Sequence, residues 1–596
     1  MNTTITWQTR NTPAELHPLL RELAAAYPLK ENGRGGVTVS FTRSATPGMC
    51  EVRRAGNTAV IAYSTPAQAA RGIGALLAGL DVAAEQTPFT SLGIMLDCSR
   101  NAVITVAHMK VWLRRLALLG YNMVMLYTED TYELPGEPYF GYQRGRYAAD
   151  ELREIDAFAA RLGIELIPCI QTLGHLEKIL RYAAYRPVRD TAHVLLVGEE
   201  KTYALIEKMI VQWKKTCRTR RIHIGMDEAE ELGRGRYMNL HGYTPGFDLF
   251  NAHLKRVTAL CRKHGLEPMI WSDIYFRLGS ANHEYYDKQT RIPRRVVEKI
   301  PGGVELVYWD YYHKEKEFYL DWIKRHRAMG KEPLMASGIW TWNRYWYDHA
   351  QTVATAGPCI DACRESSVRE LIFTQWGDNG AYCDHDSAFA GMAWCADRAY
   401  GHETPGAARL ERRFAAVCGG SYAAHLLASR MHCAVDRFHP NMWEDTIFET
   451  QVRTHAADQP AAIKRIARSY AALADRLAPC ARDTATGNMR YAYCTAKAFA
   501  ARYDMLADML AAYRKGNKRA LRAAARRIPD VRKAVADMAG AFRTMWLSHN
   551  KPQGMELIQH RFGMVDARYA ELELRLGEFL KGRVASIAEW DEPCPP

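Results

Sequence analysis

Eight short apolar runs, each followed by a segment with helical spacing, constrain this chain more than any other feature. They are LGIMLDCS (92–99), NMVMLYTED (122–130), IELIPCIQ (164–171), RIHIGMDE (221–228), EPMIWSD (267–273), VELVYWD (304–310), LMASGIW (334–340) and LIFTQWGD (371–378). Between the first three, TVAHMKVWLRRLALLGY and DELREIDAFAARLG space their apolar residues as one helix face requires. Eight strand-then-helix units predict an α/β fold with a (β/α)8 TIM barrel over residues 89–404. A doubly wound open sheet would have fewer strands and a glycine-rich first turn, and no GxGxxG follows a strand here.

The flanks differ in texture. Residues 1–88 predict a small α/β domain, with strands in GVTVSFTRS, CEVRRAG and NTAVIAYST and a helix in HPLLRELAAAYPL. A second helix in TPAQAARGIGALLAGLDVA has Thr65 as its N-cap. Residues 405–596 carry no strand signal and predict a helical C-terminal domain. The 596 residues suit such a multidomain chain.

The net charge of +13 is concentrated in the last third, as in KGNKRALRAAARRIPDVRK. Its alternation of Ala, Leu and Arg reads as the solvated face of a packed helix rather than a nucleic-acid arm, so no nucleic-acid partner is expected. The N-terminus has no basic patch followed by an apolar core, and no apolar stretch reaches the ~18 residues of a membrane span. The 14 cysteines are scattered through apolar runs. A cytoplasmic protein without disulfides or a membrane partner is expected. The pairs Cys359/Cys363 and Cys383/His385 lack zinc-ribbon spacing, so neither metal nor cofactor is expected.

In a barrel of this kind the strand C-terminal ends form the active face. Here those ends carry Asp97 and Arg100; Glu129 and Asp130; Gln171 and His175; Asp227 and Glu228; Trp271 and Asp273; Trp309 and Asp310; Trp340 and Trp342; Trp376 and Asp378. A pyranose packs its C–H face on an indole while acids and arginine bond its hydroxyls. Glycoside cleavage needs an acid for the leaving oxygen and stabilisation of an oxocarbenium-like carbon. Adjacent residues leaving a strand diverge, so Asp227 and Glu228 reach different atoms of a substrate. That suits a sugar with a 2-acetamido group beside the scissile bond. The bland readings are a solvated acidic loop for Asp227–Glu228, charge neutralisation of Asp97 for Arg100, and a core histidine for His175.

The segments GIMLDCSRN, LGYNMVMLYTEDTYE, GEPYFGYQRGRY, ELIPCIQTLGHLE, HIGMDEAEELGRGRY and FTQWGDNG together resemble glycoside hydrolase family 20, the β-N-acetylhexosaminidases, in its intracellular bacterial branch with a helical C-terminal domain. The resemblance covers about residues 1–400. It implies Glu228 as general acid/base and Asp227 as the group that orients the acetamido nitrogen while the acetamido oxygen attacks. It implies His175 as support for the acid/base, with Glu129 or Asp130 as its partner, and Arg100 as the grip on ring hydroxyls. Trp376 and Asp378 match the sugar platform and the acid for outer hydroxyls. Trp271 and Trp342 match walls of the acetamido pocket, and Tyr308, Tyr311 or Tyr312, with Tyr311 preferred, stands for the tyrosine on the acetamido carbonyl. The implied reaction is release of terminal β-linked GlcNAc, or GalNAc, from an oligosaccharide or glycoconjugate. By its composition the helical domain is expected to form a homodimer surface or to lend a wall to a neighbour's pocket. Two departures stand out. Met226 replaces a common glycine, which should alter packing only, and Glu230 replaces a common histidine, adding a negative charge expected to raise the pKa of Glu228. The alternatives are a two-carboxylate retaining glycosidase with Asp273 or Asp378 as nucleophile and, last, a nucleic-acid binder.

Overall fold

In the computed structural model, which describes residues 4–594 apart from 433, 436, 437 and 483–487, all eight runs are strands of one closed parallel barrel. A leading sheet comes first, in the order β2-β1-β3-β5-β4-β6. Its strands are β1 (Ile5–Trp7), β2 (Leu29–Glu31), β3 (Val37–Arg43), β4 (Met49–Ala55), β5 (Thr58–Tyr63) and β6 (Val82–Gln86). The three expected strands are β3, β4 and β5; β1, β2 and β6, of three to five residues, have too little alternation to read. The barrel strands are β7 (Ser91–Asp97), β8 (Met123–Tyr127), β9 (Glu165–Cys169), β10 (Arg221–His223), β11 (Glu267–Trp271), β12 (Glu305–Trp309), β13 (Leu334–Gly338) and β14 (Glu370–Gln375). The ring closes where β14 pairs with β7, from Glu370↔Ser91 to Gln375↔Leu96.

Local chemistry starts and stops the helices. Helix Val106–Leu119 is capped by Thr105, whose side chain accepts from the His108 N–H, and ends at Gly120 with φ 93°. A Cβ at Gly120 would meet Arg71 and Tyr400 at 2.8 Å, so only glycine fits. Thr65 does precede helix Pro66–Leu77, but its hydroxyl bonds the Gln68 side chain instead of the backbone. At the strand N-termini, Arg221 is paired with Glu165, Glu305 and Glu370 from three other strands.

The chain divides into two compact units. The first comprises Met1–Trp340, Gln351–Trp376 and Gly391–Cys418, and holds the leading sheet and the barrel strands. Inside it Arg71, with no exposed surface, bonds Glu85, reaches Asp397 at 2.7 Å and donates to the Leu119 carbonyl. Arg413 and Arg409 join the same two carboxylates. The network ties β6 and helix Pro66–Leu77 to the helix Phe389–Ala399 that follows the last strand. The second unit comprises Thr341–Ala350, Gly377–Ala390 and Gly419–Pro596. Its long helices are Pro460–Leu477, Met489–Arg514, Ile528–His549 and Glu556–Leu580. The fully buried Arg502 pairs with Glu449 at 2.6 Å and donates to the Met442 carbonyl. In the basic run, helix Lys518–Ala525 buries Leu521 and Ala524 and exposes Arg519 and Arg522, the solvated face expected. No helix of the described residues is long and apolar enough to cross a membrane.

Burial opposes the ionisation of Glu85 and Asp397, but Arg71 and Arg413 hold both carboxyls below their ordinary range. Their stabilisation is therefore present above about pH 4 and is lost as pH falls towards the folded-state values. Asp397→Asn keeps the shape but leaves three arginines around one carboxylate. It should lower the unfolding free energy by about 3–5 kcal/mol in denaturant titration at pH 7, with less difference at pH 3.

Candidate active site

The segment after β10 is bent into an unusual path. Gly225, Met226 and Glu228 have φ of 70°, 74° and 47°, and across the barrel mouth Glu129 and His175 have 42° and 54°. Four of these five are not glycine, and left-handed backbone costs each about 1–2 kcal/mol. Such strain collects where side chains are aimed for function. The consequence is that Asp227 points inward, 8% exposed, while the Glu228 side chain stays 44% exposed.

Two neighbours hold Asp227. Gln171 donates Nε2 to Asp227 Oδ1 at 2.7 Å and accepts the Met226 N–H on Oε1 at 3.1 Å. His175 Nε2 lies 3.2 Å from Asp227 Oδ2 and 3.6 Å from Glu228 Oε2. The Gln171 amide is oriented by Met226, since only its oxygen can accept that N–H. A Cβ at Gly225 would lie 2.1 Å from the same Gln171 oxygen, which requires glycine there. Below, His223 Nδ1 accepts the Gly225 N–H at 3.1 Å.

The electrostatics separate the two acids. Burial works against an ionised Asp227, but His175 and Gln171 outweigh it and hold its carboxyl at about 2. Burial likewise works against a charged His175, and Asp227 raises it to about 9. Glu228 is raised by burial and by the charge of Asp227, against His175 and Arg277. At pH 6–7 these directions give imidazolium and carboxylate beside a carboxyl displaced towards its acid form.

Beneath Glu228 stands Asp273, fully buried, its Oδ2 accepting the Glu228 N–H at 3.2 Å and Arg277 Nε at 3.0 Å. Burial and Asp227 push Asp273 up to about 7. Arg277 also reaches Glu228 at 3.1 Å and Glu230 at 2.8 Å. Glu228 is raised as expected, with burial and Asp227 the largest causes, while Glu230 pairs with Arg277. Met226 has no exposed surface, and the contact it makes with Gln171 is through its backbone N–H, which a glycine there would supply as well.

On the opposite side Arg100 pairs with Asp97 at 3.1 Å and with Glu129 at 3.4 Å. Its guanidinium lies over Tyr127 at 4.9 Å and Trp376 at 5.2 Å. Burial raises Glu129 to about 7, against the pull of Arg100. Trp376, 8% exposed, donates Nε1 to Tyr311 Oη at 3.1 Å, and its ring meets Tyr127 edge-on at 4.9 Å. Tyr308 is buried with its hydroxyl on Asp310, and Tyr312 is exposed, so of the three tyrosines Tyr311 is the one joined to the tryptophan.

The first unit thus gathers Asp227, Glu228, His175, Arg100, Glu129, Trp376 and Tyr311. Two expectations are corrected. The first partner of His175 is Asp227, with Glu129 acting on it as well while facing Arg100, whereas Asp130 is engaged by Arg144 at 2.9 Å and sealed from solvent. Trp271 has no exposed surface and packs 4.3 Å from the His223 ring and 6.0 Å from Trp376, a floor rather than a wall. Trp342 and Asp378 lie on Thr341–Ala350 and Gly377–Ala390, which group with the second unit, where Asn379 donates to Asn343 at 2.7 Å. Tyr127, Gln171 and Arg277 were not given roles from sequence, and Asp273 was given one only as the nucleophile of the two-carboxylate alternative; Gln171 and Asp273 were visible as strand-end residues, and Arg277 as the residue one turn beyond Asp273.

Residues 89–356 match the model described as "Glycosyl hydrolase family 20, catalytic domain", and residues 442–595 match "Glycoside Hydrolase 20C C-terminal domain". With a parallel barrel and a carboxylate-lined mouth, these matches define a glycoside hydrolase. The chain belongs to glycoside hydrolase family 20. It is similar to Hexosaminidase D of Homo sapiens, 26% identical over 235 residues, 38% of this chain and 46% of that protein. Hexosaminidase D of Bos taurus is 27% identical over 281 residues, 43% of this chain and 76% of that protein. The chain therefore spans about half the length of the human relative. Among solved structures, the fold resembles the Streptomyces plicatus N-acetyl-β-hexosaminidase in complex with Thio-NAglucal, with a TM-score of 0.52 at 18% identity, over 70% of this chain and 91% of that one. The Flavobacterium johnsoniae chitobiase gives a TM-score of 0.51 at 16% identity, over 99% and 92%.

Gln171→Leu removes the bond to Asp227 while filling its space. A hydrogen bond to a charged group contributes about 1.5–3 kcal/mol, so turnover should fall about 10- to 100-fold with a smaller change in KM. Gln171→Glu adds a like charge instead, and the acid limb of the kcat/KM profile should move to higher pH.

Proposed function

We propose that the chain is a retaining exo-β-N-acetylhexosaminidase that releases terminal β-linked GlcNAc, with GalNAc the alternative, by substrate-assisted catalysis. One observation carries this reading: Asp227 and Glu228 are adjacent, yet their surroundings push their acidities apart. Such a split assigns roles, with the raised carboxyl as proton donor and the lowered one as permanent anion. Glu228 protonates the glycosidic oxygen as the C1–O bond breaks. The acetamido carbonyl oxygen forms the new bond to C1, and the positive charge spreads onto the acetamido nitrogen. Asp227, held ionised by His175 and Gln171, bonds that N–H and stabilises the oxazolinium. Glu228, now a carboxylate, takes a proton from water, which attacks C1 from the face the aglycone left. Two inversions give net retention. Arg100 is suited to grip ring hydroxyls, Trp376 to support the apolar sugar face, and Tyr311 to bond the acetamido carbonyl; Trp342 and Asp378 remain proposed contacts from the resemblance.

The two-carboxylate alternative is disfavoured at Asp273. That group is shut off from solvent, with one oxygen engaged by Arg277 and the Glu228 N–H. A cytoplasmic location is supported by the thiol state of every described cysteine. A homodimer through the helical unit is supported by Leu557, Met564 and Leu574, exposed apolar side chains on one helix.

Glu228→Gln should lower kcat by about 100- to 10,000-fold for an alkyl β-GlcNAc glycoside and far less for an activated aryl one. Asp227→Asn should abolish tight inhibition by a thiazoline mimic of the bicyclic intermediate. Equal hydrolysis of p-nitrophenyl β-GlcNAc and β-glucoside by the unaltered enzyme would overturn the reading. Arg277→Gln removes a cation that lowers Glu228, so the basic limb of the kcat/KM profile should shift to higher pH; a shift to lower pH would contradict the assignment of that limb to Glu228.

A further inference from the structure

A cavity of about 890 Å³ lies in the first unit, far along the chain's elements from Asp227 and Glu228. It is bounded by the turn after β3, the start of helix Pro66–Leu77, the link from β6 to β7, Asn122 just before β8, and the segment leading into β14. These are the N-terminal ends of the barrel strands, the face opposite the strand ends that carry the candidate site. Its volume falls within the ordinary range for small-molecule sites.

The charge of its lining is one-sided. Arg43, Arg364 and Arg369 contribute, and no carboxylate does among the described residues. Arg364 is the telling member. Its Nη2 donates to the carbonyls of Arg398 and Ala399, at 2.8 and 3.1 Å, while its Nε is sealed from solvent with no acceptor. Two acids act on it from a distance, Asp361 and Glu403, and Asp361 is engaged by Arg398 at 2.6 Å. Burial and the Arg398 charge lower the Arg364 pKa, against the pull of Asp361 and Glu403. Arg369 commits Nη1 to the Pro88 carbonyl at 3.0 Å. Arg43 pairs with Glu15 at 3.3 Å, but both side chains are well exposed, so that bond is easily exchanged. Ser44, Ser64, Gln86 and Asn122 add polar side chains to the lining.

We propose that this cavity is a second ligand site, which binds a polyhydroxylated monoester phosphate of hexose size. Guanidinium groups bond phosphate oxygens in pairs, and a dianion would meet three arginines and no carboxylate in this lining. The hydroxyl and amide groups of the lining suit a polyol. Because leading sheet and barrel both line the cavity, the ligand bridges them and stabilises the first unit without competing with substrate.

The test is calorimetric titration of the full chain with its candidate site blocked by a thiazoline inhibitor. The titrants are glucosamine 6-phosphate, inorganic phosphate and glucosamine. Saturable binding of the sugar phosphate is expected, about tenfold tighter than inorganic phosphate, with glucosamine silent. Arg364→Gln and, separately, the exposed Arg369→Gln should each weaken binding about tenfold and leave KM for the glycoside unchanged. No saturable binding, or equal binding by both variants, would overturn the site. Equal affinity for inorganic phosphate and sugar phosphate would overturn its polyol half.

Discussion

The carboxylate of Asp227 is the constraint around which the mouth of this barrel is organised. It is almost wholly buried, and an isolated buried anion would neutralise itself by taking up a proton. Three things prevent that: the His175 imidazolium at 3.2 Å, the Gln171 amide at 2.7 Å, and a backbone bent so that both can reach it. The bend runs through Gly225 and Met226. It is stabilised by the Met226 N–H on Gln171 and the Gly225 N–H on His223. The same bend turns Glu228 outward, so one strained turn sets the direction and the acidity of both carboxyls.

Arg277 and Arg100 finish the electrostatics from opposite sides. Arg277 is divided among Asp273, Glu228 and Glu230, so no single carboxylate receives its full charge. Glu228 therefore keeps a raised pKa although a guanidinium touches it. Arg100 is shared between Asp97 and Glu129 and lies over two aromatic rings, which leaves it oriented but not neutralised by a single tight pair. Both arginines balance several acids in a small volume, a state that water alone would not maintain.

The barrel was legible because a parallel strand buried on both faces writes itself as a continuous apolar run, and all eight runs became strands. The site was legible to the extent that strand ends hold it: Asp227, Glu228, Arg100 and Trp376 each sit one to five residues past a strand. Contacts between strands distant in sequence could not be read. Nothing in CIQTLGH says that Gln171 reaches across to the segment after β10 and grips a backbone N–H there, or that His175 turns to Asp227 rather than to Asp130. Trp271 looked like a wall because it ends a strand, yet it faces the barrel interior, a difference of side-chain direction that one position along a strand decides. The three-residue strands β1 and β2 exist through pairing, β2 with β1 and β1 with β3, and carry no periodicity of their own.

The role given to Asp227 depends on the substrate's own acetamido oxygen being the nucleophile. The most direct measurement is kcat/KM for p-nitrophenyl glycosides whose N-acetyl group carries none, one, two or three fluorine atoms. Each fluorine withdraws electrons from the carbonyl oxygen and changes little else about the sugar. If Asp227 guides that oxygen to C1, the rate falls steeply with every fluorine added. A rate that stays level across the series would mean that an enzyme carboxylate attacks C1 and would contradict the role of Asp227.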